Sequence, residues 1–251
     1  MPAQSGSLCL RCGEALDAGA PEIELLCRPC RAAAPPFEKA IAWGIYRDNL
    51  RTLLHLLKYE DMQPVAKRLG ALLAQRLLEV PGLPGDLLIV PVPLFRGKRR
   101  QRGFNQSELL ARSLMAVLRR RRPELKLQLA AGALERQRST ESQAGLSPHQ
   151  RRQNVRGAFI VPRPQVVENR HVLLIDDIYT TGATARACSL ALRRAGAASI
   201  WVATVARAQK EFVVPSFLGH PVESPGTEIP MEEDFAYWGE GRTAQTGGIE
   251  R

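Results

Sequence analysis

The 251-residue chain contains no run of about 18 uninterrupted apolar residues, the length a membrane-spanning helix needs. Its first residues, Met1-Pro2-Ala3-Gln4-Ser5-Gly6, lack the basic-then-apolar pattern of a secretory signal, so a cytoplasmic protein is expected. No stretch repeats, which argues against a solenoid or propeller. Aromatic residues make up only 6%, and there are only four histidines. His55, His149, His171 and His220 show neither metal-ligand nor triad spacing, so none is given a catalytic role. Acidic residues are also scarce, 25 against 35 Lys and Arg, for a net charge of +10.

The deficit of acid is uneven. Residues 1–210 hold 33 basic and 17 acidic side chains, whereas residues 211–251 hold 2 and 8. A body this basic attracts nucleic acid or phosphorylated substrates, unless it is only a well-solvated surface. The tail is rich in Pro, Gly and Glu and lacks periodicity, which predicts disorder. Glu232-Glu233-Asp234 beside Phe235, Tyr237 and Trp238 combines phosphate-like charge with stacking rings. The tail therefore either docks on the basic body or merely solubilises the chain.

Between head and tail, apolar patterning alternates between two periods. Asp48 or Asn49 caps a helix with Leu50, Leu53, Leu54 and Leu57 on one face, and Pro64 opens another with Leu69, Leu72, Leu73 and Leu77. Leu87 to Val90, Leu125 to Leu129, Phe159 to Val161, Val172 to Ile175 and Ser199 to Val205 read as strands. Helices are expected from about Asn105 to Arg122 and from Thr184 to Ala195, the second ended by Gly196. Arg96 to Arg102 is expected to be a basic loop, and residues 130–156 a long polar one. The run Arg119 to Arg122 reads as a solvated helix end or a phosphate contact. The alternation predicts an α/β fold: a mostly parallel sheet with flanking helices.

One segment stands out: Val172-Leu173-Leu174-Ile175-Asp176-Asp177-Ile178-Tyr179-Thr180-Thr181-Gly182-Ala183-Thr184. Its apolar start is a buried strand, and ligands of open α/β sheets bind at the carboxyl ends of strands. Asp176 and Asp177 at that end suit the vicinal hydroxyls of a ribose. Thr180, Thr181, Gly182, Ala183 and Thr184 form a small-residue loop opening a helix, which presents backbone N–H groups to a phosphate. Together they recognise a ribose 5-phosphate. The segment resembles the phosphoribosyl-pyrophosphate (PRPP) motif of type I phosphoribosyltransferases. By that resemblance the basic stretch after Val90-Pro91-Val92-Pro93, with Lys98, Arg99, Arg100 and Arg102, is the pyrophosphate loop. Arg136, Arg138, Thr140, Gln143, Arg151 and Asn154 resemble a flexible loop that closes over PRPP, and Mg²⁺ accompanies that ligand. Enzymes of this type acting on 6-oxopurines carry a further acid in the PRPP loop. Ile178-Tyr179-Thr180 has none, which argues against purine salvage. Tyr179 either stacks on a flat acceptor or packs.

Cys9-x-x-Cys12 and Cys27-x-x-Cys30, with 14 residues between, have the spacing of a tetrahedral zinc site. Four protein ligands leave no open position, so the metal is expected to be structural and to supply folding energy to a small zinc ribbon. Cys188 is expected to be a packed thiol. Four cysteines ahead of these segments resemble the ComF family from about Cys9 to Ala208. The likeness includes Leu56-Leu57-Lys58-Tyr59, Pro91-Val92-Pro93-Leu94, Arg102-Gly103-Phe104-Asn105-Gln106 and Asn154-Val155-Arg156-Gly157-Ala158-Phe159. It implies a zinc-ribbon head (1–34), a phosphoribosyltransferase-like domain (37–208) and an unrelated tail (209–251). It also implies a link to natural transformation, with PRPP, single-stranded DNA and the DNA-uptake machinery as partners. Two functional classes follow. One is a transferase moving 5-phosphoribosyl to an unnamed acceptor. The other is a non-enzymatic PRPP or nucleotide sensor that binds single-stranded DNA.

Overall fold

Runs of apolar residues that alternate sides of a strand need cover on both faces, and the chain supplies it with helices. A computed structural model of the protein describes residues 8–16, 25–59, 63–138 and 147–209. The acidic tail, Thr140 and Gln143 lie outside the described residues. The elements run α1 (Arg28–Ala32), β1 (Lys39–Ile45), α2 (Asp48–Tyr59), α3 (Gln63–Leu78), β2 (Asp86–Pro91), α4 (Arg96–Arg102), α5 (Gln106–Arg121) and β3 (Lys126–Leu129). There follow β4 (Glu135–Arg136), α6 (Pro148–Val155), β5 (Phe159–Ile160), β6 (His171–Tyr179), α7 (Ala183–Arg194) and β7 (Ser199–Arg207). Five strands make one parallel sheet in the order β1-β7-β6-β2-β3.

The period of two sorts the core. Leu87, Ile89, Leu173, Ile175, Ala203 and Val205 face α2, α3 and α5, with Leu54, Leu69, Leu73 and Leu114 fully buried among them. Leu88, Val90, Val172, Leu174, Ile200 and Val202 face the other way, toward Cys188 and Leu192 of α7, Val155 of α6 and the cysteine head. From β2 the chain moves outward to β3, and from β6 it moves the opposite way to β7. The connections that leave the carboxyl ends of β2 and β6 therefore diverge, and the place where they part is the switch point where ligands of such sheets bind. Pro91 pairs with Ile175 there, and the Val92 N–H donates to the Ile175 carbonyl at 2.9 Å.

Four elements differ from expectation. Arg96–Arg102 is a short helix, not a loop, and ends at Gly103 with φ of 80°. It holds no buried residue, so no apolar period announces it. The segment 130–156 is not one irregular loop. Glu135–Arg136 pairs antiparallel with Phe159–Ile160, and α6 is capped by Ser147, with Gln150 closing the reciprocal capping box. Strand β1 was not anticipated, because Ala40, Ala42 and Gly44 dilute its pattern. Strand β6 runs through both aspartates to Tyr179, held by pairing with Thr204, Ala206 and Arg207 of β7.

Helices α3 and α5 meet at Gly70, where an added Cβ would lie 2.6 Å from Ser113 Cβ and 2.9 Å from the Leu110 carbonyl oxygen. Backbone cannot yield there as a flexible side chain would. Gly70→Val should destabilise the protein by about 1–3 kcal/mol, read from urea unfolding midpoints. An unchanged midpoint would mean the helices are not in this register.

Candidate ligand site at the strand switch point

Asp176 and Asp177 stand side by side at the end of β6, so their side chains point to opposite faces of the sheet. Asp177 is buried and Asp176 partly so. The Asp176 carboxylate accepts from the Ser107 hydroxyl at 3.2 Å and from the Asp177 N–H at 2.9 Å. The Asp177 carboxylate accepts from the Ile178 N–H at 2.9 Å and pairs with Lys58 Nζ at 2.8 Å. Burial, and then the neighbouring charge of Asp177, push the Asp176 carboxyl up to about 8. Burial pushes Asp177 the same way, but the charge and hydrogen bond of Lys58 overcome it and hold Asp177 below the usual range. The pair thus divides into one firm anion and one carboxyl that holds its proton more readily.

Ser107 reaches Asp176 because α5 is anchored at its start. Asn105 caps the helix, accepting from the Ser107 N–H at 3.1 Å, and its amide donates to the Val92 carbonyl at 3.0 Å. The segment Arg102-Gly103-Phe104-Asn105-Gln106 therefore ties the end of β2 to the acidic pair. Neither Ser107 nor Lys58 was singled out from sequence as a site residue. Lys58 carried a signal, since it follows Leu54 by four positions and so shares the apolar face of α2.

Thr180 to Gly182 turn the chain from β6 into α7, with Gly182 at the N-cap and φ of 73°. A Cβ at Gly182 would collide with the Tyr179 hydroxyl and ring, so glycine is required by both conformation and space. The N-terminal turn of α7 opens on this loop, which favours an anion. A shallow cleft is lined by Asp176, Thr180, Gly182, Ala183, Thr184 and Thr204 among others. Tyr179 does not offer its ring to a ligand. It is 5% exposed, meets Phe37 edge-on at 6.4 Å and lies under the Arg207 guanidinium at 4.4 Å. Its role is packing.

The basic residues are only partly brought together. The ammonium of Lys98 has its pKa lowered by burial and then by the positive charges of Arg136 and Arg102, which places these three near one another. Arg136 lies over the Phe159 ring at 5.4 Å, and Asp176 acts on its charge. Arg102 donates to Gln106 at 2.7 Å. Arg99 and Arg100 are exposed on α4, with Arg99 turned to Glu108 at 3.7 Å. Arg138 donates to the Arg156 carbonyl at 2.6 Å, and Arg151 and Asn154 lie on α6, which packs against α7.

The four sulfurs of Cys9, Cys12, Cys27 and Cys30 lie within 4.8 Å of one another, and all four residues are buried. Thiolates at about 2.3 Å from a tetrahedral zinc lie roughly 3.8 Å apart, so the cluster fits such an ion. Burial pushes the Cys12 and Cys30 thiols upward, so a cation is needed to hold them as thiolates. Cys188 is fully buried on α7. The head is riveted to the sheet by Arg207 at the end of β7. Arg207 is 3% exposed, donates to the Cys12 carbonyl, pairs with Glu14 and sits 3.7 Å from Cys12 Sγ. Gln209 adds bonds to Gly13 and Ala15, and the Ala40 N–H donates to the Arg11 carbonyl at 2.7 Å.

A parallel sheet in this order, with an acidic pair and a glycine-pinned loop at its switch point, is a phosphoribosyltransferase-type domain. The family model described as "Phosphoribosyl transferase domain" matches residues 101–218. DNA utilization protein YhgH of Escherichia coli (strain K12) is 33% identical over 199 residues, which cover 78% of this chain and 82% of that protein. Competence protein F of Haemophilus influenzae is 32% identical over 189 residues, covering 72% and 78%. The chain belongs to this ComF family. A solved structure of glutamine PRPP amidotransferase from B. subtilis, complexed with ADP and GMP, is 23% identical. It covers 55% of this chain and 25% of that one at a TM-score of 0.30, too slight a likeness to carry weight.

Arg207→Met should unfold the protein more readily, because Glu14 and the Cys12 carbonyl would lose their buried partner. Removing one member of a buried ion pair costs about 3–5 kcal/mol, and the partial exposure of Glu14 puts this case at the low end. Thermal melting would show the loss, and a melting temperature equal to that of the native protein would contradict the clamp.

Proposed function

We propose that this chain binds PRPP at the switch point and transfers its 5-phosphoribosyl group to an acceptor, in support of DNA uptake or use. The observation that carries the reading is the Asp176–Asp177 pair, with Asp177 buried and Asp176 partly so, followed within five residues by a positive-φ glycine at a helix N-terminus. Asp176 and Asp177 hold the ribose hydroxyls, and Thr180, Thr181, Gly182, Ala183 and Thr184 hold the 5-phosphate. Lys98, Arg102 and Arg136 receive the pyrophosphate, flanked by Arg99 and Arg100 of α4, Arg138, and Arg151 of α6, with Thr140 and Gln143, outside the described residues, assigned to the same ligand. The acceptor's lone pair forms a bond to C1 as the C1–O bond to pyrophosphate breaks, and pyrophosphate leaves with both electrons. Positioning and stabilisation of that leaving charge are the protein's contribution. Mg²⁺, when bound with the ligand, supplies positive charge to the pyrophosphate oxygens. The relatives' names, DNA utilization and competence, support the link to DNA.

A non-enzymatic reading is favoured by one feature, the exposure of α4. Arg96 and Arg99 are 77% and 60% exposed, and their ion pairs are loose at 3.6 and 3.7 Å. Such a surface suits the phosphates of single-stranded DNA. Release of pyrophosphate from PRPP, assayed against nucleobases and single-stranded DNA as acceptors, separates the readings. Turnover with any of them establishes transfer, and PRPP binding without turnover favours the sensor.

Asp176→Asn with Asp177→Asn should remove PRPP binding in calorimetry while circular dichroism stays native. Each lost acceptor should cost about 1–3 kcal/mol, more where charge is involved. Native affinity in the double variant would refute the ribose assignment. We also propose that the cysteine cluster holds one structural zinc. Elemental analysis of the native protein should find one zinc per chain, and Cys27→Ser should lose it and loosen the head. A metal-free native protein would show that the cluster stands without an ion.

A further inference from the structure

Ser107 is 1% exposed, and its hydroxyl spans 69 residues of chain to donate to Asp176 Oδ1 at 3.2 Å. Helix α5 does not call for that hydroxyl. Asn105 already caps the helix and accepts from the Ser107 N–H at 3.1 Å. Burying a hydroxyl costs free energy unless it is bonded, so alanine would serve a capped helix at least as well. What the serine changes is the orientation of one carboxylate. Asp176 Oδ1 accepts from Ser107 and, at 2.9 Å, from the Asp177 N–H. Two donors fill the two lone-pair positions of that oxygen. Among the described residues, Oδ2 has no hydrogen-bond donor. Asp176 lines the cleft beside Thr180, Gly182 and Thr184 of the loop that opens α7. The seat of Ser107 is itself fixed. The Asn105 amide donates to the Val92 carbonyl at 3.0 Å, and the Val92 N–H donates to the carbonyl of Ile175, the residue before Asp176, at 2.9 Å. A closed circuit of bonds thus joins β2, α5 and β6 around Asp176.

We propose that Ser107 is a positioning residue of the sugar subsite, which holds the Asp176 carboxylate so that Oδ2 accepts from one ribose hydroxyl. The inference rests on the PRPP reading of the site. It makes the preference for ribose over a sugar lacking that hydroxyl depend on a side chain that touches no ligand.

The test is calorimetric titration of the full chain, in buffer containing Mg²⁺ throughout, with ribose 5-phosphate and with its 2-deoxy and 3-deoxy analogues. Native protein and Ser107→Ala are compared. The native protein should bind ribose 5-phosphate more tightly than at least one analogue. In Ser107→Ala the affinity for ribose 5-phosphate should fall about 10-fold, the scale of one hydrogen bond to a charged group. The analogue lacking the hydroxyl that Asp176 holds should weaken far less, so the preference for ribose shrinks by nearly the same factor. A serine serving only the fold would weaken all three sugars alike, and that result overturns the proposal, as does native affinity in the variant. If Ser107→Ala does not fold, Ser107→Cys, close in size and a weaker donor, is read in the same way with a smaller shift. Native protein that binds the three sugars equally, or binds none, would instead refute the ribose assignment of the PRPP reading.

Discussion

Burying a carboxylate costs several kcal/mol unless charge and hydrogen bonds compensate, and here two carboxylates are adjacent in sequence at the end of a central strand. The compensation is drawn from three directions. Lys58 comes from α2, Ser107 from the start of α5, and the Asp177 and Ile178 N–H groups from the strand itself. Helices α2 and α5 lie on the same face of the sheet and share the core of Leu54, Leu69, Leu73 and Leu114. Packing far from the site therefore sets the distance from Lys58 to Asp177. Strand geometry sends the two side chains to opposite faces, and Asp177 is the one on the face that α2 covers.

A second chain of contacts runs on the other side. The Arg207 guanidinium bridges the Cys12 knuckle, Glu14 and the Tyr179 ring. Tyr179 in turn fills the space that any side chain at Gly182 would need. The head and the turn at Gly182 thus rest on one arginine. A head of this size has too little apolar surface to fold by burial alone, so its order depends on its cysteines and on this clamp. Residues remote in sequence, Cys12 and Gly182, are brought under a common constraint by the last residue of β7.

The sequence made the parallel sheet legible because strands buried on both faces leave continuous apolar runs, as in Leu87–Val90 and Val172–Ile175. The candidate ligand segment stood out for a different reason, since its order of residue types is tied to chemistry. What escaped has a common cause. Helices α4 and α6 present little or nothing apolar, so periodicity is silent, although Ser147 with Gln150 spelled a capping box. Strand β1 is rich in alanine and glycine, and its place is fixed by pairing with β7 rather than by local preference. Lys58, Ser107 and Arg207 act through tertiary contacts at separations of 69 residues or more. No local pattern encodes those partners. Tyr179 shows the converse case, because the motif leaves a stacking and a packing role open and only its burial decides for packing.

The charges at the site are arranged against the stability of the ligand-free fold. The pKa of Lys98, on the exposed helix α4, is lowered by partial desolvation and by the charges of Arg136 and Arg102, and that of Asp176 is raised by burial and by Asp177. Cations gather on the α4 and β4 side and the two carboxylates at the end of β6, where Lys58 compensates Asp177. Each cluster would be eased by separation, and the fold prevents it. An anion at the first and a polyhydroxyl group at the second would relieve both clusters at once, the anion by neutralising charge and the hydroxyls by donating hydrogen bonds. A single ligand carrying phosphates on a sugar meets both needs with one molecule. On the proposed function, this is the ground for preferring a phosphoribosyl donor to a nucleic acid backbone alone.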